Sequence, residues 1–190
     1  MEPPRLRGVR VTVQPIRLFG DPVLRTPAVE VTDFDAELRK LVKDLWDTMS
    51  EAGGAGLAAP QLGVGLRVFT YHCDGFAGHL VNPTFEVVGE EEQDGPEGCL
   101  SIPGMSWDCR RHRHVVAKGW NMHGEPIEVE GTDLLARCIQ HETDHLDGVL
   151  FLDRLDDQTR KEAMRAIRQQ SWFDGGVPTI KQSPHPLFGV

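Results

Sequence analysis

The pentapeptide His141-Glu142-Thr143-Asp144-His145 constrains this chain more than any other stretch. Two histidines four residues apart face the same way only if the backbone between them is helical, one turn or ~6 Å of rise apart. Both imidazoles can then reach one metal ion. Glu142, directly after the first histidine, is placed to hold a water rather than the ion, which is where a general base is needed. The flanking residues support a helix over 132–146: Thr132 or Asp133 as cap, Leu134, Leu135, Cys138, Ile139 and Leu146 as apolar positions, and Gly148 as stop. Because the histidines share this helix with its apolar stripe and Cys138, the pair is expected to face inward rather than toward water.

Two ligands do not complete a metal site. A metzincin-like pattern would place a third histidine six residues after His145, where this chain has Phe151. A thermolysin-like arrangement would take a carboxylate from a following helix, and Glu162 is the candidate for that role. A thiolate is the other route. Residues 138, 141 and 145 span ~10 Å along a helix axis against metal–ligand bonds of ~2 Å, so one straight helix cannot supply all three. Cys99 lies in the extended segment Glu97-Gly98-Cys99-Leu100-Ser101-Ile102-Pro103, where Gly98 permits close backbone approach. Spacing alone leaves Cys99 level with Cys73 and Cys109.

The four cysteines form no Cys-x-x-Cys pair and are too few for a disulfide framework in 190 residues, so a reducing compartment with free thiols is expected. No apolar run approaches the ~18–20 residues that cross a bilayer, which excludes an integral membrane helix. The opening MEPPRLRGVRVTVQPIRLFGDP has arginines but no continuous apolar core, so it does not read as a secretory signal and the cytoplasm is the expected location. Twenty basic residues against 29 acidic give a formal charge of −9. That argues against DNA or any broad nucleic-acid partner, while leaving room for one local basic stripe.

Two more helices are predicted. One covers 34–51, where Leu38, Leu41, Val42, Leu45, Trp46 and Met49 recur at helical steps, with Asp33 or Asp35 as cap and Gly53-Gly54 as stop. The other covers 156–172, with Asp156 and Asp157 in its first turn. Strands are predicted at 66–72, at 79–90 and in a hairpin turning at His123-Gly124. Helices do not alternate regularly with strands. The class is therefore α+β, with mixed or antiparallel strands around a central metal-binding helix. Residues 1–190 read as a single catalytic domain, with 1–14 as an N-terminal extension and 174–190 as a proline-containing tail that is either an extended strap or disordered. His112 and His114 are expected at a surface or hairpin rather than in a second metal site.

Three segments together resemble a known family. Gly54-Ala55-Gly56-Leu57-Ala58-Ala59-Pro60-Gln61, Glu97-Gly98-Cys99-Leu100-Ser101 and Gln140-His141-Glu142-Thr143-Asp144-His145-Leu146-Asp147-Gly148 are similar to the three signature motifs of the bacterial peptide deformylases, in the same order. Gly20-Asp21-Pro22-Val23-Leu24-Arg25 is similar as well, so the resemblance spans roughly 15–155. It implies a metal-dependent hydrolase that removes the formyl group from the N-terminal formyl-methionine of new polypeptides. Carried over by motif, Cys99, His141 and His145 hold the metal, leaving one position open, and Glu142 moves the proton. The Gln61 amide and the Leu100 N–H would meet the developing oxyanion. The implied ion is Fe²⁺, with zinc, nickel or cobalt able to substitute, although a Cys-His-His set would on chemistry alone suit zinc.

Other residues have two readings each. Gly54 and Gly56 are either a simple turn or an open strip against which an extended nascent peptide pairs. Leu134 and Cys138, one turn apart, either line an apolar pocket for the methionine side chain or pack as ordinary core. Glu97 is either a catalyst or a structural carboxylate paired with Arg111 or Arg110, and the structural role is the one expected. Lys161, Arg165 and Arg168 fall on one helical stripe and are either a solvated face or a contact to ribosomal RNA.

Overall fold

The computed structural model describes residues 12–173, and the tail at 174–190 and the first eleven residues of the N-terminal extension lie outside them. Helix α1, Ala36–Ala52, begins where the Asp35 carboxylate accepts the Leu38 N–H at 3.0 Å. It ends at Gly53, whose left-handed φ of 66° suits a residue without a Cβ. Of its predicted stripe, Leu38, Leu41, Val42, Leu45 and Met49 are buried and join Ile16, Leu57 and Val68 in one core cluster, while Trp46 is half-buried against it. Each fully buried leucine or methionine of this kind contributes ~1.5–3 kcal/mol.

Among the described residues nine strands follow or surround the remaining helices: β1 Gly56–Ala58, β2 Val68–Cys73, β3 Phe76–Val87, β4 Glu92–Gln93, β5 Pro96–Cys99, β6 Ile102–Asp108, β7 Arg111–His112, β8 His114–Trp120 and β9 Pro126–Thr132. The principal sheet runs β1-β2-β3-β8-β9, with two-stranded ladders β4-β7 and β5-β6 beside it. Every pair of these strands is antiparallel. Among the described residues the expected alternative of a mixed sheet is met only by an isolated parallel bridge between Val29 and Leu66. The predicted hairpin is present, with β8 and β9 paired from His114–Thr132 to Trp120–Pro126 and Gly124 turning at φ 80°.

Strand β3 changes register between Val81 and Thr84. Its Asn82, at φ 49°, turns out of the ladder there. The side chain instead accepts the Val31 N–H at 2.8 Å and donates to the Val31 carbonyl at 2.9 Å. This pins the segment entering α1 to the sheet.

Helix α2, Asp133–Leu146, follows β9 without a loop, with Thr132 as cap and Asp133 at φ 50°. Every residue from Leu135 to Leu146 is buried. An amphipathic helix with one inward face understates this: one side of α2 packs in the core of the principal sheet, and Arg137, His141 and His145 meet Glu97 and Cys99 of β5. Its last carbonyl, of Leu146, accepts the Ala28 N–H at 2.8 Å and Arg67 Nη1 at 3.2 Å, so the buried C-terminus is satisfied.

Helix α3, Asp157–Arg168, is shorter than the predicted 156–172. Asp156 is the cap rather than a first-turn residue, accepting the Gln158 and Thr159 N–H groups. After Arg168 the chain turns, and Trp172 packs into the cluster that also holds Cys99, Phe151 and Ile167. The result is a single α+β domain with α2 at its centre.

Candidate metal centre and active site

Three elements that are remote in sequence meet at α2. Strand β5 ends in Cys99 at the tight turn into β6, and Leu100 is the next residue of that turn. Cys99, His141 and His145 each offer one ligand atom, and these atoms lie within 4.8 Å of one another, all three residues being buried. Sequence spacing left Cys73 and Cys109 as alternatives, but neither belongs to this group. Cys73 packs with Cys138 in the sheet-side core, and the Cys109 thiol turns to the Arg110 carbonyl at 3.8 Å. Glu162, the candidate of the thermolysin-like route, is exposed on α3 and accepts a bond from Gln158.

The donor set fits a cation on several counts. The His141 Nε2 is buried with no hydrogen-bond partner, while its Nδ1 donates to Glu97 Oε1 at 2.7 Å. A buried imidazole nitrogen without a partner is costly unless something with positive charge meets it. The His145 Nε2 lies 3.3 Å from Cys99 Sγ. Burial, then the neighbouring His141, hold His145 well below the ordinary histidine range, so its imidazole is neutral as a ligand must be. Burial pushes the Cys99 thiol up to about 12, against a hydrogen bond from the Ser101 N–H at 3.4 Å. Thiols bind metals as thiolates, and a dication supplies the charge that burial opposes.

Glu142, next to His141 on α2, has both carboxylate oxygens buried and unpartnered, and its charge is one of the influences that raise the Cys99 thiol. Burial, then the negative charge of Glu97, raise its carboxyl well above the usual range. Strand β1 closes over it: a Cβ on Gly56 would sit 2.3 Å from Glu142 Oε1 and 2.9 Å from Cys138 Sγ. The Gly53-Gly54 pair ends α1, and among the described residues β1 is an edge strand that pairs with β2 alone.

Gln61 lies in the short 3₁₀ turn Ala59–Leu62 and is 1% exposed. Its Oε1 accepts the Ala58 N–H at 2.9 Å, which fixes the amide so that Nε2 faces Ser101 Oγ at 3.1 Å and Cys99 Sγ at 3.6 Å. Ser101, which the motif reading did not single out as functional, thus touches both Gln61 and Cys99. Cys138 is fully buried with its thiol toward the Ala55 carbonyl at 3.5 Å, whereas Leu134 is half-buried against the same core.

The expected partner of Glu97 is found. Arg111 binds it through two donors, Nε at 3.0 Å and Nη2 at 2.6 Å, while Arg110 instead pairs with Glu92. Arg137 Nη1 adds a further bond at 2.7 Å. Burial alone would raise this carboxyl, but the bonds from His141 and Arg111 outweigh it and hold it well below the carboxylate range. Arg137 gave no sequence signal beyond its place four residues before His141. His112 and His114 fall on different short strands, and His114 pairs with Glu130 at 2.8 Å, in keeping with a surface role.

Two imidazoles, a thiol and an adjacent unpartnered carboxylate, all buried, are the parts of a metal-dependent hydrolase. A family model, that of the polypeptide deformylases, matches residues 13–161. The peptide deformylase of Acidothermus cellulolyticus is 64% identical over 179 residues, covering 94% of this chain and 98% of that relative. That of Parafrankia sp. is 59% identical over 180 residues, covering 94% and 98%. Among solved structures, the Legionella pneumophila peptide deformylase aligns with a TM-score of 0.79 at 38% identity, covering 87% of this chain and 99% of its own. The Synechococcus elongatus enzyme, solved in complex with actinonin, aligns at 0.76 and 37% identity, covering 85% and 90%. The chain belongs to the polypeptide deformylase family.

Proposed function

We propose that Cys99, His141 and His145 hold one metal ion, and that Glu142, Gln61 and the Leu100 N–H perform around it the family's reaction. That reaction is hydrolysis of the formyl group from the N-terminal formyl-methionine of new polypeptides, with release of formate. The single observation that carries the assignment is the convergence of the three ligand atoms beside the unpartnered Glu142 carboxylate.

The ion, when bound, supplies Lewis acidity toward water and the formyl oxygen. Glu142 takes the proton of the attacking water and delivers it to the departing amine. Its raised proton affinity suits a group that must hold a proton between these two events. The Gln61 amide, already oriented by Ala58, and the Leu100 N–H donate to the oxyanion of the tetrahedral species. Gly56 at the start of β1 and Gly54 just before it offer an open edge to the extended nascent chain, and Leu134 with Cys138 lines the space for the methionine side chain. Exclusion of water follows from burial of every polar group named, which strengthens each interaction.

We assign ferrous iron as the ion in the cell, with zinc, nickel or cobalt able to occupy the same ligands. Formate release from a formyl-Met tripeptide, run with metal analysis on protein prepared without oxygen, tests activity and ion together. Fully active, iron-free protein from that preparation overturns iron.

Among the described residues no helix is long and apolar enough to cross a membrane. We place the enzyme in the cytoplasm, where new chains emerge. Lys161, Arg165 and Arg168 are all exposed on α3, opposite the buried Ala163 and Ile167, so this face is free to meet ribosomal RNA. Charge reversal at the three positions is expected to abolish ribosome co-sedimentation at low salt, and unchanged co-sedimentation would refute the contact.

A further inference from the structure

Of the His141–His145 pentapeptide, Thr143 and Asp144 take no part in the metal ligation or the proton transfer; Thr143 Oγ1 donates to the Ile139 carbonyl within the helix, and Asp144 reaches outside it. Its carboxylate is buried, yet it does not face the ligand cluster. Oδ2 accepts from Arg111 Nη1 at 2.7 Å and from Arg154 Nε at 3.2 Å, and Oδ1 accepts from Arg154 Nη2 at 2.7 Å. Arg111 turns its other two nitrogens, Nε and Nη2, onto Glu97, and Glu97 Oε1 receives the His141 Nδ1–H. A continuous chain of charge-assisted hydrogen bonds therefore runs from Arg154, half exposed before α3, through Asp144, Arg111 and Glu97 to His141.

We infer that Asp144 is a positioning residue for the metal centre, acting through Arg111 and Glu97 to fix the tautomer and ring orientation of His141. The geometry carries the argument. Glu97 accepts four bonds: two from Arg111, one from Arg137 and one from His141. An ionised carboxylate can only accept, so the proton must stay on His141 Nδ1, leaving Nε2 as the ligand. Glu97 can hold that place only while Arg111 is itself held. Arg111 is buried, and with Asp144 removed its Nη1 donor loses the partner the fold supplies. Asp144 lies on α2 three residues after His141, so its grip on Arg111 ties the partners of the ligand to the same rigid helix that carries the ligand.

The charge balance points the same way. Glu97 and Asp144 carry two negative charges against three positive ones on Arg111, Arg137 and Arg154. Neutralising Asp144 raises that excess beside a site that must take a cation. Partners of this kind around a metal ligand are worth ~10–100-fold in metal affinity or activity.

The inference rests on the metal centre proposed above, and the test separates the two. Full-length protein is loaded with cobalt(II), and its release to excess chelator is followed by the loss of visible absorption. Asp144→Asn is expected to release cobalt ~10–100-fold faster than wild type. The double variant Glu97→Gln with Asp144→Asn is expected to release it no faster than Glu97→Gln alone, because Asp144 acts through Glu97. Leu45→Ala, in the α1 core and remote from the chain of charges, controls for stability alone. It should lower Tm without changing the release rate. If Asp144→Asn does not fold, Asp144→Glu, which keeps the charge but displaces it by one methylene, takes its place with the same expectation. Rates that multiply in the double variant, or a release rate in the single variant no faster than in Leu45→Ala, overturn the inference. Wild type that holds cobalt until Cys99 is replaced keeps the centre whatever the variants do; wild type that never holds cobalt overturns both.

Discussion

Gly56 separates the metal-ligand geometry from the carboxylate geometry within one residue. A methyl at Gly56 would lie 2.3 Å from Glu142 Oε1, 2.8 Å from its Cδ and 2.9 Å from Cys138 Sγ. Ordinary contact begins near 3.4 Å, so the Glu142 carboxylate must retreat by about 1 Å, and Cys138 obstructs one direction of retreat. Overpacking of this kind costs ~1–3 kcal/mol of stability. A shift of about 1 Å at a catalytic group costs ~10²-fold in rate. Gly56→Ala is therefore expected to fold and to retain stoichiometric metal, because Cys99, His141 and His145 are not displaced, while kcat for formate release from a formyl-Met tripeptide falls ~10²-fold. Metal content by elemental analysis and initial rates on the same preparation read both effects. A variant with wild-type kcat would show that Glu142 does not act from the position it occupies; a variant with lost metal would show that β1 supports the ligands instead.

Other outcomes follow from the same geometry. Glu142→Ala should keep its metal and lose turnover by several orders of magnitude, and a silent substitution would leave the ion a merely structural part. Asn82→Ala removes both bonds to Val31 and should lower stability by ~1–2 kcal/mol in urea unfolding, with no change in KM. Burial raises the Asp153 carboxyl, but hydrogen bonds from Arg25 and the Leu150 N–H outweigh it and hold the group below its ordinary value. A carboxyl lowered in the folded state stabilises above its unfolded pKa of ~3.9 and loses that contribution as pH falls through the folded value. The stability gap between wild type and Asp153→Asn should accordingly be widest above pH ~5 and narrow below pH ~4, and a gap independent of pH would refute the pairing.

Local signals were sufficient where structure is local. The α1 stripe, its Asp35 cap and Gly53 stop need only neighbouring residues, and so does the hairpin at His123-Gly124. They fail for the strands that build the site. Strand β1 has three residues, too few to display a period of two, and β4 and β7 have two each. Their pairing is set by the sheet and by α2. The end of α3 at Arg168 was likewise hidden, because Trp172 completes the core from a turn as readily as from a helix.

The site divides in the same way. The histidine pair and Glu142 are one helix turn and could be read directly. Choosing Cys99 over Cys73 and Cys109 required the motif resemblance, since spacing contains no information about which loop returns to α2. The resemblance also located Gln61, but not the reason its amide faces the thiol, which is the bond from the Ala58 N–H. Arg137 and the outward link from Asp144 to Arg154 had no signature, because charged residues on a helix ordinarily read as a wet face. Here Leu135–Leu146 of α2 is enclosed, and its Arg137 and Asp144 are matched by Glu97 of β5 and Arg111 of β7.

X-ray absorption at the zinc edge of zinc-loaded protein reads the ligand set without reference to activity. One sulfur near ~2.3 Å and two imidazole nitrogens near ~2.0–2.1 Å, with the sulfur lost in Cys99→Ser, is the expected result. A shell with no sulfur, or with a sulfur that survives that substitution, would contradict the convergence of β5 and α2 on a single ion.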